Sequence, residues 1–372
     1  MAVAEIGLRR LASQRIAGAR CEHPADVVRW LGAVQAQDYH QALWAVGSRT
    51  RAGTRVRVER AIAERQIVRT WLMRGTIHFA PPEDVRWLLA LVGPRLAVAA
   101  ERRREQIGLA RADISRAADV VSTALAGDRR LSRPEMMQLL EGNGIATTGG
   151  HGYHILWRLA RDGLICIGPT EARQQTFALL DDWAPREDSR ELSRDGSLAV
   201  LAGRFAASRG PVTAHDLARW AGITVSDARA GLAAAGGLVC DTTAGGEHWA
   251  GAEQAGRDPT GAERRRTYLL AGFDEFLLGY GDRDAILDPG HADRVVPGAN
   301  GVFRPMIVTG GRIVGTWSPS ATPRSLSIDL QPFAAPARAL VTQVTSEANR
   351  YRTFLGLPSS VEPVVTCGEA ER

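Results

Sequence analysis

The sequence predicts an α+β fold: three tandem winged-helix units followed by a C-terminal β-barrel-like region. Three observations predict it. Helices followed by a pair of short strands recur three times before residue 261. The stretches Arg161-Asp162-Gly163-Leu164-Ile165 and Ala235-Gly236-Gly237-Leu238-Val239 hold the same place in their units, as internal repeats do. Beyond them the apolar period changes to two around a Gly310-Gly311 turn. The expected units span 1–95, 96–190, 191–260 and 261–372.

In the first unit, residues 5–18 read as a helix with Ile6, Leu8, Leu11 and Ile16 on one stripe. Pro24 opens a second helix with Val27, Val28, Leu31 and Val34 inward. Gln35-Ala36-Gln37 is expected at the C-terminal end of that helix. Further helices follow over 39–48 and 56–65. The period then falls to two from Ile67 to Phe79, two strands turning near Arg74-Gly75. In the second unit Ser132 is an N-cap with Glu135 three residues on, a capping-box pattern. A glycine-rich turn over 142–150 leads to a helix ending before Gly163, then strands at Leu164–Ile167 and Gln175–Leu179 around a polar wing tip. Asp181 to Asp195 is polar and reads as a linker. The third unit has helices at 213–222, capped by Thr213, and at 225–235, then a wing from Gly237. In the last region strands are expected at 268–270, on both sides of Gly310-Gly311 and at 326–330, closed by a helix over 336–355.

Composition narrows the function classes. The chain has 372 residues, a net charge of +5 and a pI of 9.4, which tilts the partners toward nucleic acid. All 46 basic residues are arginine. With no lysine, only the N-terminal amine is left for Schiff-base chemistry. Cys21, Cys166, Cys240 and Cys367 are far apart and follow no disulfide or zinc spacing, so buried free thiols are expected. No stretch of about 18 apolar residues is present, so no membrane span is expected, and the N-terminus does not read as a signal peptide. The expected location is the bacterial cytoplasm, acting at the nucleoid.

Val34-Gln35-Ala36-Gln37-Asp38 is the stretch with the most chemistry in it. A pair of amides can position a water or bind a base edge, and cannot take a proton at neutral pH. Read structurally, the same residues are a polar helix end that caps its neighbours.

Several motifs then resemble one family. Phe273-Asp274-Glu275-Phe276-Leu277-Leu278-Gly279-Tyr280 with Asp282-Arg283 is similar to a signature of bacterial AlkZ-like DNA glycosylases. So are Arg69-Thr70-Trp71-Leu72-Met73-Arg74-Gly75-Thr76-Ile77-His78 and Asn300-Gly301-Val302-Phe303-Arg304-Pro305. The resemblance covers nearly the whole chain. It implies tandem winged helices, a C-terminal β-barrel, and protection of producers of DNA-crosslinking antibiotics such as azinomycin. One branch of that family carries a glutamine-apolar-glutamine catalytic motif, matched by Gln35-Ala36-Gln37; a sister branch has aspartate at the second polar place.

The resemblance implies a monofunctional glycosylase that hydrolyses the bond between C1′ and a bulky N7-alkylpurine and unhooks interstrand crosslinks. Gln35 and Gln37 are its catalytic residues, with Asp38 the carboxylate alternative. No cofactor or metal is expected, since Asp274 and Glu275 lack a third ligand and suit helix capping or orientation of an arginine. Double-stranded DNA carrying alkylated purines or crosslinks is the expected partner, met by a monomer. Its expected contacts are Arg69, Arg74, His78, Arg158, Arg161, Tyr280, Arg283 and Arg304, and the Gly310-Gly311 hairpin is a candidate for insertion into a groove. Arg102-Arg103-Arg104 reads as a solvated helix face. A non-enzymatic reading competes: a winged-helix regulator, or a protein that sequesters drug or lesion.

Overall fold

The computed structural model describes residues 3–171, 174–243, 246–256, 258–299, 301–336 and 338–367. Residues 172–173, in the second expected wing tip, and Asn300 lie outside them. Among the described residues no helix is long and apolar enough to cross a membrane.

Helix α1 (Val3–Ser13) is shorter than expected. The chain turns at Arg15, where φ is 59°, and Ile16 reaches the core from a loop. Helix α2 (Pro24–Leu31) begins at the predicted proline and stops at Gly32, whose φ of 74° suits a residue without Cβ. The next residues correct the expectation of a helix end. Val34–Gln35 is strand β1, pairing antiparallel with β3 (Ile77–Ala80) at Val34↔Phe79 and Gln35↔His78. The Ala36 N–H extends the ladder to the Ile77 carbonyl at 2.8 Å. The backbone groups that would have continued α2 are satisfied by a neighbouring strand instead. Helices α3 (Tyr39–Gly47) and α4 (Arg55–Ala63) follow, capped by Asp38 and Thr54. Strand β2 (Val68–Trp71) and β3 form the expected hairpin, turning through Met73–Gly75.

Helix α5 (Val85–Gln106) runs straight through the unit boundary expected at 95/96. The following elements are α6 (Arg111–Leu125), β4 (Leu131–Ser132), α7 (Arg133–Gly142), α8 (His151–Arg161), β5 (Ile165–Glu171) and β6 (Gln174–Leu179). The Ser132–Glu135 capping box forms as expected. Arg69 of β2 pairs with Ile167 of β5, so two hairpins merge into one sheet of order β1-β3-β2-β5-β6-β4. The two inner edges meet at that one pair, which joins the units through their sheets.

The segment expected as a linker starts with a docked turn, α9 (Leu180–Trp183), whose Leu180 and Trp183 are buried despite polar neighbours. Helices α10 (Arg194–Arg209), α11 (Ala214–Ala221) and α12 (Val225–Ala234) precede a separate hairpin, β7 (Leu238–Thr243) and β8 (Gly246–Gly251). The cap at Thr213 is again a full capping box, with Asp216.

Short helices α13 (Ala252–Ala255) and α14 (Gly261–Arg265) lead to β9 (Thr267–Leu270), α15 (Glu275–Leu278) and α16 (Ala292–Val295). Strands β10 (Met306–Thr309), β11 (Arg312–Thr322) and β12 (Ser325–Pro332), helix α17 (Arg338–Leu355) and β13 (Pro363–Cys367) end the described chain. The expected barrel does not close. The strands form an open sheet of order β13-β12-β11-β10-β9, and α17 packs against both edge strands. Tyr351 of α17 meets Trp317 of β11 and Trp44 of α3, with ring centroids 5.2 and 5.0 Å apart, tying the sheet to the first helices.

The Gly310-Gly311 turn is not free to enter a groove. A Cβ on Gly7 of α1 would lie 2.1 Å from the Gly311 carbonyl oxygen, so the turn is packed on α1. Of the four thiols expected to be buried, Cys166 is and Cys21 is half-buried; Cys240 and Cys367 are exposed.

Candidate active site

Gln35 ends strand β1, and Gln37 follows two residues on, at the bend that leads into α3. Gln35 is buried and Gln37 exposed. Each amide oxygen is held by a donor: Gln35 Oε1 accepts from Arg74 Nη2 at 3.1 Å, and Gln37 Oε1 accepts from the Ile77 N–H at 3.3 Å. A flipped amide would set N–H against N–H at either place, so the donors fix which end of each side chain is oxygen. Each oxygen keeps a second lone pair and each amide its N–H groups, enough to hold a water from both directions. The neighbouring carboxylate is committed elsewhere: Asp38 Oδ1 accepts from the Gln41 N–H at 3.1 Å as the cap of α3.

Arg74 stands at the meeting point of several elements. Its φ of 57° lies in the left-handed region at the β2–β3 turn, and its Cγ and backbone pack against Gly222 at the end of α11. The next residue, Gly75, accepts from Trp157 Nε1 of α8 at 3.4 Å. Burial lowers the Arg74 pKa; the Glu275 charge opposes that, while Arg219 and Arg209 add to it. Its Nη1 has no hydrogen-bond partner among the described residues. Arg69, only 5% exposed, donates from Nη2 to the Ala36 carbonyl at 3.0 Å and lies over the Tyr39 ring at 4.8 Å. Its Nε is unpartnered, and burial brings its pKa down to about 10.

Beneath this strand is a network of paired charges. Glu275 is fully buried. Its Oε1 accepts from the Gln35 N–H at 3.1 Å, and its Oε2 accepts from Arg209 Nη2 and Trp220 Nε1, each at 2.8 Å. Burial pushes the Glu275 carboxyl up, but the charge and hydrogen bonds of Arg209, with the Gln35 N–H, outweigh it and hold it below the usual range. Asp274 caps α15 through the Phe276 N–H and takes Arg49 two-pronged, at 2.9 and 2.7 Å. Capping and orientation of an arginine, the roles expected of these carboxylates, are the ones they fill. Gln14 joins Arg49 at 2.8 Å and the Tyr280 hydroxyl at 2.9 Å, and that hydroxyl donates to the Arg209 carbonyl at 2.8 Å.

The expected DNA contacts divide. Tyr280 and His78 are fully buried, which corrects the expectation that they meet a duplex. Tyr280 belongs to the network just described, sandwiched under Arg10 at 3.6 Å. His78 sits opposite Gln35 in register; its Nδ1 donates to the Thr76 carbonyl at 2.9 Å, leaving Nε2 a buried acceptor without partner. Burial, then the Arg74 charge, push its pKa down to about 4, so the ring is neutral. Arg158 and Arg161 are half-buried at the end of α8 and both pair with Asp162, at 2.6 and 2.7 Å. Arg283 is half-buried, 5.6 Å from the Phe303 ring, and Arg304 is exposed. Sequence reasoning missed Arg49, Arg209 and Trp220. Each lies in a different helical region from its carboxylate, and no local spacing marks them. The buried carboxylate pair Asp274-Glu275 was the one signal that such partners must exist.

Residues 28–354 match the family described as DNA glycosylase AlkZ-like. The chain is 27% identical over 316 residues to an interstrand DNA cross-link repair glycosylase of Streptomyces sahachiroi, covering 79% of this chain and 81% of that one. It is similar in structure to the Streptomyces sahachiroi DNA glycosylase AlkZ, with a TM-score of 0.79 and 24% identity, over 99% of this chain and all of that one.

Proposed function

Since the chain belongs to the DNA glycosylase AlkZ-like family and is a DNA glycosylase, we propose that Gln35 and Gln37 hold the water that attacks C1′ of an N7-alkylpurine in duplex DNA, and that the enzyme unhooks interstrand crosslinks. The observation that carries this reading is the fixing of both amides, one by Arg74 and one by the Ile77 N–H, at the end of β1 and just beyond it.

The chemistry suits neutral groups. An N7-alkylated purine is already cationic, so its leaving group is activated before it binds. The water oxygen bonds to C1′ as the C1′–N9 electron pair withdraws into the purine and quenches its charge. The water's proton passes to solvent, and an abasic site remains. What is asked of the protein is placement of the water and support of an oxocarbenium-like sugar. Since the chain has no lysine, strand nicking through an amine adduct is not expected, and the enzyme is monofunctional.

A base tied to both strands cannot rotate about 180° into a pocket, so C1′ is reached from a groove. In this reading the three helix-and-hairpin units act as winged helices along the duplex, and the protein works as a monomer without metal. Arg158, Arg161, Arg283 and Arg304 contact phosphates, the first two by exchanging Asp162 for DNA. Relief of crosslinks protects a cell that makes a DNA-alkylating antibiotic of the azinomycin kind.

The test is a duplex carrying a defined N7-guanine crosslink, incubated with the protein and with Gln37→Ala in the absence of metal. Release of free base with heat-labile abasic sites, reduced about 10²-fold or more in the variant, is the expected result. Tight binding without base release by either protein would turn the reading into sequestration.

A further inference from the structure

A groove of about 950 Å³ opens beside Gln37. Its floor is the stacked pair Arg69 and Tyr39, one wall is α4 with Arg55, Val56, Glu59, Arg60 and Ala63, and the other is the β5–β6 hairpin with Pro169, Thr170 and Gln175. The catalytic reading uses only its Gln37 edge.

Three features describe what the groove would take. The first is its size, which is that of a pocket for a drug-sized molecule. The second is an excess of donors at its base. Among the described residues, the Nε of the buried Arg69 has no partner, and neither has the buried amide nitrogen of Gln175. Leaving such groups unmet is costly, and a ligand with carbonyl oxygens would meet them after a small side-chain shift. The third is the character of the wall. Val56 is 58% exposed, an apolar side chain turned to solvent, and the one carboxylate of that wall, Glu59, is paired with Arg55 at 3.9 Å, so the wall offers apolar surface and donors together.

We propose that this groove is a lesion-recognition subsite, receiving the acceptor-bearing substituent carried on N7 of the damaged purine. The inference rests on the catalytic reading of Gln37 and deepens it. N7 is separated from the glycosidic nitrogen by C8 alone, so a substituent on N7 starts beside the bond that breaks. A base whose C1′ is served by Gln37 therefore directs that substituent to the neighbourhood of the groove mouth. Tyr39 and Val56 supply apolar contact, and Arg69 and Gln175 supply donors for amide or ester oxygens. A small N7-methyl group leaves the groove unfilled. Binding energy from this remote part of the lesion then favours bulky adducts over small ones.

The test compares kcat/KM on two duplexes of one sequence, carrying either N7-methylguanine or N7-[2-(benzamido)ethyl]guanine, with base release as the readout. Val56→Trp and Ala63→Trp each fill the groove from an exposed helical position, and Arg69→Met removes its donor. The ratio of bulky to methyl activity should fall about tenfold or more in both filled variants and several-fold in Arg69→Met. An unchanged ratio in both filled variants, with circular dichroism matching the parent, would overturn the proposal. Equal losses on both duplexes, expressed as a raised KM, would overturn it too and assign the groove to the DNA strand. Failure of the parent protein to release either base would instead refute the glycosylase reading of Gln35 and Gln37.

Discussion

Two pairs of arginines frame strand β1, and they differ in whether a carboxylate answers them. Arg49 and Arg209 are fully buried, and each is met by one, Asp274 and Glu275 respectively. Arg69 is nearly as hidden and Arg74 half so, yet each leaves a guanidinium nitrogen unpartnered, and burial depresses both. A paired charge is consumed by the fold. An unpaired one keeps its field for whatever arrives. The lower network holds β1 in place through the Gln35 N–H, and the upper pair stands where the damaged nucleotide is proposed to lie.

The largest effect expected from this contrast is on stability. Glu275→Gln leaves Arg209 buried without a counter-charge and should cost about 3–5 kcal/mol in denaturant unfolding. A loss under about 1 kcal/mol would show that the network is not holding the strand.

His78 gives the next effect, through pH. Its pKa is depressed from 6.5 to about 4, so the folded state disfavours the proton that the unfolded state takes up. Its contribution is fully present above pH 6.5 and is lost as pH falls toward 4, a change of about 3 kcal/mol. Unfolding of the parent and of His78→Leu over that range should diverge, the parent losing more; parallel curves would refute the neutral buried ring.

Arg69→Met sharpens the comparison by its sign. Removing an unanswered buried charge should change stability by less than about 1 kcal/mol, because the relieved desolvation offsets the lost bond to Ala36. Arg209→Met should cost several times that. Equal losses would erase the distinction between the two pairs. The smallest effect belongs to Arg304, which is exposed. Arg304→Ala should leave stability within about 0.5 kcal/mol and reduce the salt dependence of DNA binding by about one unit of slope.

Most helices were readable because their signals are local. Pro24, the Ser132–Glu135 box and Thr213 each declare a helix start within four residues, and the β2–β3 hairpin shows itself by its period. Helices α5, α6 and α10 and strand β13 escaped notice. The stretch before α10 is polar, and β13 exists only as a parallel partner for β12, a pairing no neighbouring residue announces. The glutamine pair stood out by residue type, but its local reading as a helix end was wrong, since β3, some 40 residues on, makes Gln35 part of a strand and leaves Gln37 in the bend after it.

By itself, the sequence determined the helices and hairpins that local caps and periods declare, the lack of any lysine amine, and the amide pair that cannot abstract a proton. It left open which groups meet. Only the tertiary structure decided that Glu275 would reach Gln35 across 240 positions, that Tyr280 and His78 would be buried, and that Arg69 would line a groove unpaired. The physical reason is range. Caps, turns and apolar periods are settled within a few residues, whereas the partner of a buried charge is whatever the packed core brings to it, and that depends on the whole chain.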